Sequence, residues 1–493
     1  MNQLGALDWS ILVVYAAATM GVGFWAARGQ RTIGDYLLGS RQMPWWAVLF
    51  SIVATESSIV SFLSVPGLVT PVPTNAESGN WTFLQLPIGY IVGRYLVVYL
   101  LLPAYFEGKL FTAYEVLGQR FGGNTKRVAS LLFVVTRTLA DGIRLGLASL
   151  ALQKAFDPYG WTLDHTIVGV GVATLVYTYV GGLKAVVWTE VAQFAVKIFG
   201  TAAAGWAVYQ ACGGFAPIYD YAVKADALRI FRFDLDFTLR YTFWSGLVGG
   251  AFLSLASHGV DQMMVQRYLS SGSLPAASRA LAWSGWIILA LFAFLMAVGT
   301  TLACYFHLNP PEPAFTKNDQ VFIRFLLDPS LMPVGVVGLM LAAILSAAMS
   351  TLSSSLNASA GTVVTDWMLP LAGWSKESPK SLWVTKLLTI VFGLLQISVA
   401  FAFRDVGSAV DRVLDIAGYA TGVVLGLYFL GVFTKVHEPA ALASLLLIVA
   451  LTLPLKFTTK LAWPWYAPLC SLGMLPLGLA AEWMLPQQRT DVT

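Results

Sequence analysis

Charge is what this chain of 493 residues has least of: Asp, Glu, Lys and Arg make up 11% of it, against about 25% in ordinary soluble domains. A folded globule of this size needs a broad polar skin, so a soluble enzyme is excluded. The 57% hydrophobic content equally excludes a disordered scaffold. Cysteine is nearly absent. Cys212, Cys304 and Cys470 lie far apart with no C-x-x-C pair, which rules out a disulfide-built secreted domain and leaves no clustered ligands for zinc. His165, His258, His307 and His437 are scattered, which argues against a membrane enzyme built on grouped His, Asp or Cys. No G-x-x-x-x-G-K-[ST] loop speaks for an ATP-driven pump, and no repeated filter sequence or charged ring speaks for a channel. Thirty Lys and Arg against 26 Asp and Glu imply no nucleic-acid partner.

What remains is abundant apolar sequence, with mean hydropathy +0.69, 44 Gly and 17 Trp. A helix needs about 20 residues to cross a hydrocarbon core about 30 Å thick. Thirteen segments meet that standard: 7–27, 45–70, 82–106, 127–153, 162–180, 185–211, 239–262, 281–305, 333–360, 383–403, 408–432, 438–455 and 464–485. The first, Leu7 to Ala27, has the length of a full span and no basic n-region, unlike a cleavable leader. After Leu485 only PQQRTDVT follows, too little for an added signalling domain. With the N-terminus outside, fifteen cations fall in cytoplasmic pieces and eleven in outer ones; four of the eleven share the Asp-rich connection 212–240. Positive charge favours the cytoplasmic side, so the expected orientation is N-terminus out and C-terminus in. A plasma membrane of the bacterial inner type is the expected location.

Ionisable groups inside spans are costly and are functional candidates by default. They are Arg94, Arg137, Arg144, Lys197, Glu56, Asp141, Glu190 and Asp415, with Asp261 at a boundary. The competing reading makes Arg94, Arg137 and Lys197 structural partners of nearby acids or snorkelling head groups. Two spans are interrupted. The second carries Ala54-Thr55-Glu56-Ser57-Ser58 at its middle; the seventh carries Gly249-Gly250, Ser254 and Ser257-His258-Gly259. They sit five spans apart, the pattern of paired broken helices in an inverted-repeat transporter. In the ninth span Ser346, Ser350, Thr351, Ser353 and Ser354, followed by Asn357, recur at helical spacing. Such a face is expected to point inward, either to bond neighbouring helices or to offer hard oxygens to a small monovalent cation.

Three runs, VYTYVGGLKAVVWTEVAQ (176–193), DQMMVQRYL (261–269) and AAILSAAMSTLSSSLNA (342–358), together resemble the sodium/solute symporter family, whose members carry sugars, proline, iodide and sialic acid. The resemblance implies an all-α polytopic protein of the leucine-transporter type, a five-plus-five inverted repeat with one extra helix before it and two after. The expected division is 1–43, repeats 44–211 and 212–432, and 433–493. It implies alternating access driven by inward sodium movement, with Na+ as coupling ion, no organic cofactor, no enzyme activity, and a monomer acting in the bilayer. The solute would be small and polar: a sugar, sugar acid or amino-acid-like molecule. Proton coupling on the same fold is the alternative, with Glu56 or Glu190 as carrier.

Carried over by motif, one sodium is held by the carbonyls of Ala54, Ser57 and Ala347 and the hydroxyls of Ser350 and Thr351. A second, known in some members, falls on Glu190, Ser350, Ser353 and Ser354, where an Asp is more usual than Glu. Glu190 as a structural partner of Lys197 or Lys184 is the rival. For the solute the candidates are Glu56, Ser58, Ser61, Asp141, Arg144 and Gln262; Glu56 and Arg144 either pair with each other or grip two ends of a ligand.

Overall fold

The computed structural model describes residues 4–108, 110–326, 328, 333, 335–404 and 409–485; the side chains of 409–417, Asp415 among them, lie outside the described set. Every long element is helical. The principal helices are α1 (Ala6–Ala26), α2 (Trp45–Glu56), α3 (Ile59–Gly67), α4 (Gln85–Leu100), α5 (Gly123–Phe156), α6 (Leu163–Ala211), α7 (Gly250–Gly259), α8 (Gln262–Ser270), α9 (Leu274–Leu308), α10 (Val336–Val363), α11 (Pro379–Ala402), α12 (Ala409–Phe433), α13 (Glu438–Thr458) and α14 (Tyr466–Met484). Among the described residues, seven helical stretches are long and apolar enough to cross a membrane, or eight if the bent pair α2–α3 is one span. Their outward faces carry bare Phe199, Trp206, Leu394 and Leu446. Exposed apolar side chains of that size are natural against lipid tails and costly against water.

Helix α6 has 49 residues, about 74 Å at ~1.5 Å per residue, over twice the hydrocarbon core. It cannot be one span. The break is Gly182, at φ 55° and ψ −156°, a conformation side-chain-bearing residues avoid. A Cβ there would also stand 2.5 Å from the Tyr36 carbonyl oxygen. The reading of two segments, 162–180 and 185–211, thus meets one continuous run of hydrogen-bonded helix turned at a glycine.

Close helix contact elsewhere also rests on missing side chains. Gly89 and Gly93, one turn apart on α4, face the start of α7: added Cβ atoms would lie 2.1 Å from Gly246 O and 2.2 Å from Ala251 O. Small residues let two backbones approach where lipid offers no hydrophobic drive for association. Just before α7, residues Ser245–Gly249 form a single π-helical stretch.

Helix α10 is the most enclosed of the spanning candidates and packs against α1, α5 and α6. Its hydroxyl row points inward: Ser346, Ser350, Ser353 and Ser354 are all buried.

Candidate functional site

The bilayer interior has no water to satisfy loose backbone, so a broken helix there must find other partners for its freed groups. Helix α2 stops at Glu56, Ser57 leaves helical geometry at ψ 66°, and α3 restarts after Ser58 with a 64° change of direction. The Ser58 N–H bonds Glu56 O at 2.8 Å rather than Ala54 O, freeing the latter. Ser57 O, ahead of the α3 cap, is free as well. Both oxygens converge on one cation of the chain itself. Lys197 Nζ donates to Ala54 O at 2.7 Å, Ser57 O at 3.0 Å and Ser57 Oγ at 2.8 Å. The second half of the first expected sodium set lies on α10, which packs against α2 and α3. There the Ser350 and Thr351 hydroxyls bond back to Ala347 O at 3.3 and 3.4 Å. These oxygens are hard, neutral donors, the chemistry a monovalent cation asks for, and the broken-helix half already holds an ammonium.

Glu190 stands two turns before Lys197 on α6 and is wholly buried at 0% exposure, facing Arg267 at 1%. Arg267 Nη2 donates to Glu190 Oε1 at 2.7 Å; Thr55 Oγ1 and Ser354 Oγ donate to the same oxygen at 2.7 and 2.6 Å, and Ser51 Oγ donates to Oε2. Four helices, α2, α6, α8 and α10, meet on this pair. Of the second expected sodium set, Glu190 and Ser354 come together around a guanidinium, whereas Ser353 bonds the Ser350 carbonyl at 3.2 Å. Neither Lys197 nor Lys184 is the partner of Glu190. Arg267, one of the fifteen cations assigned from the sequence to cytoplasmic pieces, belongs to the core.

Glu56 points away from the Lys197 site. Its carboxylate pairs with Arg94 of α4 and lies 3.6 Å from His258 Nε2. Arg94 also donates to Ser284 Oγ at 2.9 Å. Glu56 and Arg144 therefore do not pair.

The second break lies between α7 and α8. Val260 and Asp261 leave the helix, and the Asp261 side chain caps α8 by accepting from Met263 N at 2.8 Å. Its other oxygen pairs with Arg137 of α5, whose Nη1 also lies 3.9 Å from Asp141 Oδ1; Asp141 in turn pairs with Arg144. Beside this chain of charges is a cavity of about 170 Å³ whose polar lining includes Arg137, Arg144, Asp261, Ser257 and Thr136. The two guanidinium groups are 18% and 22% exposed, while Asp141 and Asp261 behind them are at 0% and 1%. Arg144 Nε has no hydrogen-bond partner. Two part-exposed guanidinium groups thus line the cavity together with Asp261 and the Ser257 and Thr136 side chains. Of the expected solute residues only Arg144 lines it; Asp141 stands behind, Glu56, Ser58 and Ser61 are elsewhere, and Gln262 is used in brackets to Ala113 N at 2.7 Å and Phe111 O at 3.0 Å.

Paired breaks at α2–α3 and α7–α8, cation-binding carbonyls at one and charge pairs at the other, belong to ion-coupled carriers. Residues 36–447 match the sodium:solute symporter family. The chain belongs to that family. It is 31% identical to the sodium-coupled monocarboxylate transporter 2 of Homo sapiens, over 92% of this chain and 72% of that protein. It is 27% identical to the sodium/sialic acid symporter of Proteus mirabilis, over 97% and 95%. Among solved structures it is similar to the substrate-bound, outward-open state of a Na+-coupled sialic acid symporter, with 26% identity, 98% of each chain covered and a TM-score of 0.85. This family member is an integral membrane transporter of small solutes rather than an enzyme, and Na+ is its coupling ion. Sequence reasoning had named Arg94 as an in-span cation and His258 within an interrupted span without finding their partners, and had placed Arg267 outside the spans. Arg267 could have been suspected from one signal, an arginine placed within two turns of a broken helix.

Proposed function

We propose that this carrier couples inward sodium movement to uptake of a small organic acid by alternating access. The observation that carries the reading is the cavity onto which the part-exposed guanidinium groups of Arg137 and Arg144 open. Guanidinium forks match carboxylates in geometry and charge, whereas a sugar would call for a mixture of donors and acceptors. A human relative named for monocarboxylates and a bacterial one named for sialic acid are consistent with an acidic solute. In this reading the solute carboxylate displaces part of the Arg144–Asp141 pairing. Sodium site one comprises Ala54, Ser57, Ala347, Ser350 and Thr351, and a second sodium draws on Glu190, Ser350, Ser353 and Ser354. The frame is thirteen spans, with repeats 44–211 and 212–432, N-terminus out, C-terminus in a bacterial cytoplasm, and the monomer as the working unit.

The test is a thermal-shift screen of purified protein in sodium and in choline buffer against short carboxylates, sugar acids, neutral sugars and amino acids, followed by uptake into proteoliposomes. A ligand of the native state raises apparent stability by mass action. Stabilisation by carboxylates, with uptake that collapses in choline, is expected. Stabilisation by neutral sugars alone, or uptake equal in choline, refutes the proposal.

A further inference from the structure

Among the described residues Lys197 is the one cationic side chain that reaches the freed carbonyls of the first break; the Ser57 hydroxyl also donates to Ala54 O, at 3.1 Å. The lysine ammonium meets three oxygens at 2.7 to 3.0 Å and is buried. Glu190, its nearest acid in sequence on the same face of α6, is committed to Arg267. The lysine is therefore compensated by backbone and hydroxyl dipoles, just as a bound alkali ion would be. Two monovalent cations cannot share the same pair of carbonyls. At ~4 Å apart in a low-dielectric interior like charges repel by several kcal/mol, and each carbonyl oxygen would be divided between them.

We infer that Lys197 is a tethered competitor for sodium at the first break: its ammonium and a sodium ion occupy Ala54 O and Ser57 O in alternation, never together. The inference rests on the proposed sodium site one and deepens it. The chain carries its own occupant for the ion-free protein, so sodium must eject a side chain before it binds. The flexible four-carbon stem of lysine allows the head group to withdraw along α6 while its backbone stays in place. In the ion-free state the ammonium satisfies the Ser57 carbonyl, which would otherwise stand unpaired in a dry interior, and adds to the Ser57 hydroxyl on the Ala54 carbonyl. In the loaded state sodium takes over that duty. The consequence is a sodium affinity set by competition, weaker than the oxygen set alone would give.

The experiment measures sodium-dependent thermal stabilisation of the purified full-length protein, titrating NaCl against choline chloride at constant ionic strength, for wild type and Lys197→Met. Removing the competitor is expected to lower the half-saturating sodium concentration at least tenfold. Ser350→Ala added to Lys197→Met is expected to cancel that gain, placing the ion at the first break. Lys197→Gln keeps a donor for the carbonyls without the charge and carries the same expectation if the Met variant does not fold. A wild type without any sodium response whose variants acquire one overturns the alternation, because the lysine then excludes sodium permanently. A half-saturating concentration unchanged or raised in the folded variants overturns it, because lysine is then inert toward sodium or assists it. Variants and wild type that all ignore sodium overturn it as well. Sodium-driven solute uptake by wild type is scored separately: if it persists while the lysine variants behave like wild type, the competition alone is lost and the proposed symport stands.

Discussion

Replacing Glu190 by glutamine removes one charge and leaves the shape of the side chain nearly intact. The carboxylate is fully buried, and four donors, Arg267, Thr55, Ser354 and Ser51, converge on it. An amide can accept at only one of its two terminal atoms, so the hydroxyl facing its NH2 loses an acceptor and Arg267 is left as a buried cation without a counter-charge. Breaking a buried pair by removing one partner costs about 3–5 kcal/mol, and Glu190→Gln is expected at that size. Arg267→Met should cost as much, by stranding the carboxylate. The double variant Glu190→Gln/Arg267→Met strands neither charge and should cost less than the sum of the two single losses, with a coupling of about 2–3 kcal/mol, the upper range for residues in direct contact. The assay is thermal unfolding of purified protein in sodium-free buffer, where no ion can mask the effect, with mild-detergent chromatography to confirm folding. Losses in the double variant that equal the sum of the singles would refute the reasoning, since the two groups would then not be partners in solution. So would a Glu190→Gln protein within about 0.5 kcal/mol of wild type, the range of an ordinary surface change.

Arg144→Gln is expected to weaken binding of a carboxylate solute at least tenfold, measured as the shift in half-saturating concentration, with folding preserved because the side chain is partly exposed at the cavity. Glu56→Gln should cost about 3 kcal/mol of stability by uncoupling Arg94 yet leave solute affinity within about twofold of wild type, because Glu56 does not line the cavity; a lost affinity with unchanged stability would place it in the solute site. Gly182→Ala is expected to destabilise by at least about 1–3 kcal/mol, the cost of a residue held in a sparsely populated conformation, with a steric clash against Tyr36 added; an unfolding temperature equal to wild type would contradict it.

The two broken helices were legible because their cause is local: serine and glycine in mid-span weaken helix geometry wherever the rest of the chain lies. The inward direction of the α10 hydroxyls was legible for a similar reason, since periodicity and the cost of polar groups in lipid decide it together. Pairing was not. Arg94 and Glu56 stand 38 residues apart on different helices, and nothing in either neighbourhood encodes the other. Arg267 follows the second break by a few polar residues, where fading hydropathy imitates the end of a span; only the fold shows α8 tucked inside. Two of the three partners of Lys197 are carbonyl oxygens, which every residue possesses, so no side-chain pattern could have announced them. The run through Gly182 was divided around the glycine at which the helix turns, but its helical continuity is a matter of backbone angles.

The 64° bend at Ser57 has two arms that are held very differently. The last turns of α2 are fastened from three directions: Thr55 and Ser51 to the Glu190–Arg267 pair, Glu56 to Arg94, and the Ala54 carbonyl to Lys197. Within α3, Ile59, Phe62, Leu63 and Val65 are buried, and its neighbours α9 and the short helix Asp319–Leu326 meet it mainly through apolar contacts such as Phe62 against Phe322, with Asn318 Nδ2 donating to Gly67 O at its far end. Apolar contacts are non-directional and slide at little cost, whereas charge-assisted hydrogen bonds lose their strength within a fraction of an ångström of misalignment. Mechanically this is a door with one leaf bolted to the frame. Any rocking about Ser57 is delivered to α3, while α2 keeps the carbonyls at the pivot in register with α6.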